Sequence, residues 1–157
     1  MILKMIQGLY GGILVLFTAL ASKYFTDIGL ENFYDFLNLP EVTPENNYFK
    51  IIWRGLYVLL FLSFYIILLS NKTIEEFDDA NALFIFTLFL QILWTFSFFY
   101  MGQLIASSIV VFLLIVLSVM TAFVFFKINK WAGALLIPYL VWILFALFLN
   151  VSIAFIN

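Results

Sequence analysis

Five uninterrupted apolar segments, each long enough to cross a bilayer as a helix, constrain this fold more than any other feature. About 20 apolar residues of α-helix span the roughly 30 Å of hydrocarbon in a bilayer. The segments cover residues 6–25, 49–69, 82–101, 104–126 and 131–156. Because 66% of the 157 residues are hydrophobic and only 10% are charged, a soluble domain could not bury them all. The sequence therefore predicts an all-α polytopic membrane protein, a five-transmembrane-helix bundle in which residues 1–157 form one domain.

Charged residues lie almost entirely outside these segments. The longest connection, residues 26–48, carries five acidic and four aromatic residues. It is predicted to fold back as a cap over one mouth of the bundle, and a solvated acidic linker is the alternative. The other connections are short, which makes neighbouring helices antiparallel. One side has one basic residue more than the other, which favours a cytoplasmic N-terminus. The two sets are Lys4, Lys72, Lys127 and Lys130 against Lys23, Lys50 and Arg54.

The composition excludes several kinds of chemistry. Cysteine and histidine are both absent, so no disulfide, thiol nucleophile, ordinary zinc site or histidine-ligated haem is expected. We therefore predict neither a metal nor a cofactor. A net charge of −2 gives no basic patch for nucleic acid. The middle of every segment lacks Asp, Glu, Lys and Arg, which argues against a proton-coupled pump.

Three of the predicted helices gather aromatic, amide and small side chains on one face. An amide in the middle of a membrane helix needs a partner inside the bundle. Together the three faces predict a pocket for a flat, largely apolar ligand, and the alternative is that they only pack the core. The residues are Trp53 and Tyr57 in the second segment, Gln91, Trp94, Thr95 and Phe98 in the third, and Pro138, Tyr139, Trp142, Ala146 and Asn150 in the fifth.

Two further features lie beside this predicted pocket. Lys50 and Arg54 are one turn apart at the mouth of the second segment, where they either receive ligand carboxylates or pair with the acidic cap. The first segment has Gly8 and Gly12 at GxxxG spacing. The small residues of that stripe predict close helix packing, within the bundle or between protomers.

Three blocks of residues carry a family resemblance. They are Tyr34, Pro40, Pro44, Trp53 and Leu56-Tyr57; then Leu90-Gln91, Trp94-Thr95 and Phe98-Phe99; then Pro138-Tyr139, Trp142, Phe145-Ala146, Leu149-Asn150 and Asn157. In order and spacing they resemble the TspO/MBR family, the tryptophan-rich sensory proteins whose mitochondrial members are called translocator protein or peripheral benzodiazepine receptor. The resemblance covers about residues 30–157.

The resemblance implies a dimeric five-helix bundle whose pocket, under the first connection, takes porphyrins and benzodiazepine-type ligands. Matched by position, Tyr34, Trp53, Gln91, Trp142 and Ala146 would line it. It also implies a bacterial cell membrane protein that acts as a receptor in tetrapyrrole sensing, transport or disposal. Two alternatives are a porphyrin photo-oxidant that uses the pair Trp53 and Trp142, and a ligand-free scaffold.

The chain also departs from the family pattern. Phe33 and Val42 stand where the family has Trp, Glu45 replaces a Pro, and Gln91 replaces an Asn. The end of the last segment lacks the Tyr and basic residue of the cholesterol-recognition pattern. We therefore expect a ligand preference that differs from that of mitochondrial members.

Overall fold

The chain folds as a bundle of long helices. The computed structural model describes residues 2–157, apart from the side chains of Leu3 and Lys4, and in this range it contains no strand. The orientation prediction for Lys4 therefore lies outside the described residues. The elements are α1 (Ile2–Asn32), a short 3-10 helix (Tyr34–Phe36), α2 (Asn46–Leu69), α3 (Ile74–Thr95) with a π-helical turn (Phe96–Tyr100), α4 (Leu104–Ile128), α5 (Lys130–Leu135) and α6 (Ile137–Ile156).

Within residues 2–157, five helical segments are long and apolar enough to cross a membrane. Helices α1, α2 and α4 are three of them, and α3 with its π-helical turn is the fourth. Helices α5 and α6 together form the fifth, Lys130–Ile156. The break at Leu136 arises because Pro138, in the first turn of α6, has no amide hydrogen and cannot continue α5. The predicted all-α membrane bundle is confirmed.

The helices surround one hydrophobic core. Around the bundle the neighbours follow the order α1, α2, α5 and α6, α4, α3, and α3 closes the ring against α1. At one end of the bundle, Gln7 of α1 donates to the Leu68 carbonyl of α2. At the opposite end, the Asn157 side chain pairs with the backbone of Asn38. Helix α1 is the least buried of the five membrane-length segments.

The first connection is shorter than the predicted residues 26–48. Helix α1 continues to Asn32 and α2 begins at Asn46, so the connection is residues 33–45. Asp27 therefore lies on α1, where it pairs with Lys23 one turn earlier. The connection packs against the bundle: Tyr34 contacts the ring of Phe99 with 5.7 Å between centroids. Its backbone is held at Asn38 by Asn157, whose Oδ1 accepts from the Asn38 amide at 2.8 Å.

Helix α3 begins earlier than its apolar segment. The acidic residues that follow Thr73 form its first two turns rather than a connection. Thr73 caps the helix by accepting from the Glu76 amide at 3.1 Å, and the Glu76 carboxylate accepts from the Thr73 amide at 2.8 Å. Acidic side chains suit this position because the helix dipole is positive there.

The small residues of α1 pack against α2. A Cβ atom added at Gly8 would lie 3.3 Å from the Tyr65 ring, and one at Gly11 would lie 3.2 Å from the Phe64 ring. At Gly12 the same construction meets Phe61 at 3.7 Å. This end of the stripe therefore serves packing within the bundle, which was one of the two predicted roles.

Gly29 sits where α1 approaches the end of α3 most closely. A Cβ atom at Gly29 would lie 2.4 Å from Phe99 Cβ and 2.5 Å from the Phe99 carbonyl oxygen. Gly29→Ala must therefore push the two helices apart, and we expect it to lower the free energy of unfolding by about 1–3 kcal/mol. Thermal unfolding of the purified protein in detergent measures this.

Gly55 provides the control for that substitution. It is exposed on α2, and an added Cβ there meets nothing within 4 Å. Gly55→Ala should leave stability unchanged or raise it by up to about 1 kcal/mol through helix propensity. Equal melting temperatures for the two variants would contradict the close approach at Gly29.

Candidate functional site

A cavity of about 170 Å³ opens between α1, α2 and α3. Its lining residues recur every three or four positions on each helix, as the inward face of a helix requires. They are Ala19, Leu20, Ser22, Lys23, Thr26 and Asp27 of α1, Phe49, Lys50, Trp53, Arg54 and Tyr57 of α2, and Gln91, Trp94, Thr95 and Phe99 of α3 and its π-helical turn.

Trp53 is the centre of the aromatic cluster behind the cavity. Its ring lies 5.8 Å from those of Tyr57 and Trp94, measured between centroids. It also lies 6.4 Å from the rings of Tyr139 and Trp142, and the two indoles of Trp53 and Trp142 are nearly perpendicular at 85°. Only 9% of Trp53 is exposed. These neighbours hold its indole in one orientation and leave part of it facing the cavity.

The amide of Gln91 is held from behind by α6. The Tyr139 hydroxyl donates to Gln91 Oε1 at 2.8 Å. The other amide atom, Nε2, is buried and has no hydrogen-bond partner among the described residues. Ser22 Oγ, across the cavity on α1, is also buried and has no hydrogen-bond partner among the described residues. The Tyr57 hydroxyl is a close neighbour of both atoms.

A second buried amide joins α3, α4 and α6. The Trp94 indole donates to Asn150 Oδ1 at 2.9 Å. Asn150 Nδ2 in turn donates to the Leu104 carbonyl at 3.0 Å and faces the hydroxyls of Ser107 and Ser108 at 3.0 and 2.9 Å. Asn150 therefore fixes the Trp94 ring, one of the cavity walls, against the rest of the bundle.

The cavity mouth carries more positive than negative charge. Lys23, Lys50 and Arg54 meet one carboxylate, Asp27. Asp27 pairs with Lys23, and its other oxygen lies 3.9 Å from Lys50 Nζ. Within residues 2–157, Arg54 has no carboxylate within 4.0 Å. The predicted pairing of Lys50 with an acidic residue near the first connection is therefore seen, and Arg54 is left for a ligand or the interface.

The structure brings part of the predicted site together. Seven predicted residues line the cavity, and three more touch the lining from behind. The seven are Lys50, Trp53, Arg54, Tyr57, Gln91, Trp94 and Thr95, and the three are Tyr139, Trp142 and Asn150.

Four predicted residues lie elsewhere. Tyr34 and Phe98 pack against each other beneath the first connection, with ring centroids 6.2 Å apart. Burial, together with the neighbouring Asp35 carboxylate, raises the pKa of Tyr34, so its phenol is neutral. Pro138 begins α6, and Ala146 is buried in the core. A ligand role for these four stays a prediction.

Sequence reasoning missed the wall formed by α1. Ala19 and Ser22 continue the small-residue stripe that begins at Gly8, and the other end of this stripe packs on α2. A signal was nevertheless present, because Ser22, Thr26 and Asp27 place polar side chains on that same face. No group of three or more His, Cys, Asp or Glu side chains that could hold a metal occurs in the described part of the chain.

The helices and the cavity define a class: a multi-pass membrane protein with an internal aromatic pocket whose mouth is cationic. The chain belongs to the TspO/MBR family, whose sequence pattern matches residues 12–156. It is therefore an integral membrane protein. The predicted family is confirmed.

Curated relatives agree over most of their length. The tryptophan-rich protein TspO of Chlorobaculum tepidum is 30% identical over 144 residues, 92% of this chain and 91% of that protein. The tryptophan-rich sensory protein of Cereibacter sphaeroides is 32% identical over 120 residues, 76% of this chain and 73% of that protein. A tryptophan-rich protein TspO of Archaeoglobus fulgidus is 30% identical over 156 residues, 99% and 98% of the two chains.

Proposed function

We propose that this protein is a membrane receptor or binding protein for porphyrins and related flat, apolar ligands. The observation that carries the proposal is Trp53, which faces the cavity while five aromatic rings fix its orientation. A rigid indole beside Trp94 offers stacking to a flat ring system. Lys50 and Arg54 at the mouth suit the propionates of a porphyrin.

The size of the cavity sets a condition on this function. A cavity of about 170 Å³ is smaller than the roughly 300–1,000 Å³ of pockets that enclose drug-sized ligands. A porphyrin therefore inserts one edge while α1 moves outward from α2 and α3, with its carboxylates left at the mouth. Helix α1 suits this movement because it has the smallest share of buried residues among the membrane-length segments.

Binding in the cavity is tested with protoporphyrin IX and the purified full chain in detergent. We expect Trp53→Phe to weaken binding about three- to tenfold, since the smaller ring loses stacking worth about 0.5–1.5 kcal/mol. The readout is the absorbance band of the porphyrin, which does not depend on the number of Trp residues.

Trp131→Phe is the matched control. Trp131 is 77% exposed and lies outside the cavity, so its replacement should leave affinity unchanged. If the unaltered protein does not bind the porphyrin above the detergent background, the proposed function is wrong. If both variants bind like the unaltered protein, the site is not at Trp53.

Photo-oxidation of the bound porphyrin is a second candidate, favoured by the contact between Trp53 and Trp142 at 6.4 Å. A light-excited porphyrin bound beside Trp53 would have a second indole, that of Trp142, close by. Molecular oxygen would be the oxidant. Illumination of the complex in air and in argon separates the two functions. Spectral loss no faster than that of free porphyrin in detergent excludes this activity.

A ligand-free scaffold is the remaining alternative. That reading expects Trp53, Trp142 and Gln91 in separate, filled cores, whereas Trp53 and Gln91 line one cavity and Trp142 contacts Trp53. We also propose a homodimer. Gly8, Gly11 and Gly12 of α1 pack on α2, so the dimer contact would use another face.

A further inference from the structure

A second concavity lies at the end of the bundle opposite the cavity mouth, between the start of α1, the end of α2 and the start of α3. We call it the α1–α3 groove. Its volume is about 680 Å³, within the roughly 300–1,000 Å³ of pockets that hold small ligands. Its apolar lining consists of Ile6, Tyr10, Leu68, Ile74 and Phe77.

The position of the groove in the membrane indicates what covers it. It lies where α2 ends and α3 begins, so it is at the boundary between the apolar segments and the polar end of the bundle. In a bilayer this depth contains the headgroups of phospholipids, with their acyl chains directed toward the middle. Ile6 and Ile74 expose more than half of their surface at this level, and an acyl chain would cover them.

Lys72 forms an anion-binding position at the polar end of the groove. Its Nζ donates to the Leu68 and Ser70 carbonyls at 3.1 and 3.0 Å and lies 5.4 Å from the centre of the Phe77 ring. An ammonium has three protons, so one is left for a ligand. Within residues 2–157 no carboxylate lies within 4.0 Å of Lys72. Burial lowers the pKa of Lys72, as it does for an ammonium that has lost water without gaining a counter-ion.

The wall that α3 forms carries a carboxylate as well. Ile74, Asp78 and Asn81 follow each other at intervals of four and three residues and therefore share one helix face. That face is turned toward α1, because the Tyr10 hydroxyl donates to Asn81 Oδ1 at 2.7 Å. Asp78 is exposed, and no basic group among the described side chains lies within 4.0 Å of it.

The charges of the groove select one kind of phospholipid headgroup. A phosphate matches Lys72, and a primary ammonium on the same headgroup matches Asp78. Phosphatidylglycerol has no cation for Asp78 and brings net negative charge toward it. The trimethylammonium of phosphatidylcholine has no proton to donate to a carboxylate.

We propose that the α1–α3 groove is a binding site for phosphatidylethanolamine. The phosphate accepts from Lys72, the ammonium donates to Asp78, and one acyl chain lies along Ile6 and Ile74. The site lies at the other end of the bundle from the aromatic cavity. It is therefore independent of porphyrin binding.

Three phospholipids with identical dioleoyl chains test the headgroup preference. They are phosphatidylethanolamine, phosphatidylcholine and phosphatidylglycerol, each added to the delipidated full chain in detergent. Native mass spectrometry measures the fraction of protein that carries each lipid. We expect phosphatidylethanolamine to bind about tenfold more tightly than either of the others, the value of roughly one charge-assisted hydrogen bond.

Asp78→Asn should remove the preference for phosphatidylethanolamine over phosphatidylcholine. Asp79→Asn is the matched control, because Asp79 is also exposed but lies about 100° further round α3, away from the groove. It should keep the preference of the unaltered protein. Both side chains are on the surface, so neither substitution should disturb folding.

Lys72→Gln should weaken the binding of all three lipids about tenfold, since each carries a phosphate. Lys127→Gln is the control. Lys127 also places its Nζ over a ring, 4.4 Å from the centre of Phe123, but it does not line the groove. Asp78→Asn decides the test if Lys72→Gln, which loses its bonds to the end of α2, fails to fold.

Three results would overturn the inference. In the first, the unaltered protein binds the three lipids equally, as a surface without a headgroup site would. In the second, it prefers phosphatidylglycerol, which assigns the groove to anionic lipids. In the third, the preference for phosphatidylethanolamine survives in Asp78→Asn as it does in Asp79→Asn.

Discussion

Asn150→Ala is expected to lower the free energy of unfolding by about 2–4 kcal/mol, the largest stability loss among the variants considered. The substitution leaves the Trp94 indole without its acceptor and removes the donor to the Leu104 carbonyl and the Ser107 and Ser108 hydroxyls. Each buried group left unpaired costs about 1–3 kcal/mol, and lipid supplies no water to replace the partner. Thermal unfolding followed by Trp fluorescence or circular dichroism measures the loss.

Asn71→Ala is the control for this variant. Asn71 is exposed in the connection between α2 and α3, so its amide is hydrated in either case. Its melting temperature should stay within a degree or two of the unaltered protein, since surface changes cost about 0.5 kcal/mol or less. A similar melting temperature for Asn150→Ala would mean that the buried amide does not hold the three helices together.

Ala19→Phe is expected to weaken porphyrin binding at least about thirtyfold, or roughly 2 kcal/mol. Ala19 lines the cavity from α1, and a phenyl ring there fills much of the space of about 170 Å³. Because the added ring would extend into the cavity rather than into the packed core, the variant should fold with a melting temperature close to that of the unaltered protein. Titration of protoporphyrin IX, read by its absorbance, gives the affinity.

The matched control is Ala82→Phe, which adds the same ring on an exposed position of α3. It should bind the porphyrin as the unaltered protein does. If a folded Ala19→Phe variant retains full affinity, the ligand binds outside this cavity, whichever other residues it contacts.

The sequence predicted the fold well because hydrocarbon leaves few choices to a chain with five long apolar segments. The ends of the helices were harder to predict. Residues after Phe25 are polar enough to resemble a loop, yet α1 continues to Asn32 because Gly29 allows close contact with Phe99. That contact joins residues far apart in sequence, so local composition does not reveal it.

The candidate site was predictable where the residues that line the cavity follow each other on one face of a single helix. Trp53 with Tyr57, and Gln91 with Trp94, recur at helical spacing, so each face could be read alone. The sequence did not reveal which helix faces line the cavity and which support the lining residues from behind. Tyr139 supports Gln91 from behind instead of lining the cavity, and this depends on how α6 rotates against α3.

The π-helical turn at Phe96–Tyr100, which follows α3, is the place where this membrane segment can best tolerate the loss of one residue. The Met101 amide bonds to the Phe96 carbonyl at 3.0 Å, five residues back, where a regular α-helix reaches back four. A π-helical turn amounts to one residue inserted into an α-helix, so deleting one residue within it would restore regular helix. A deletion elsewhere in α3 would rotate every later side chain by about 100°. Relatives of different length are therefore expected to gain or lose residues at this turn.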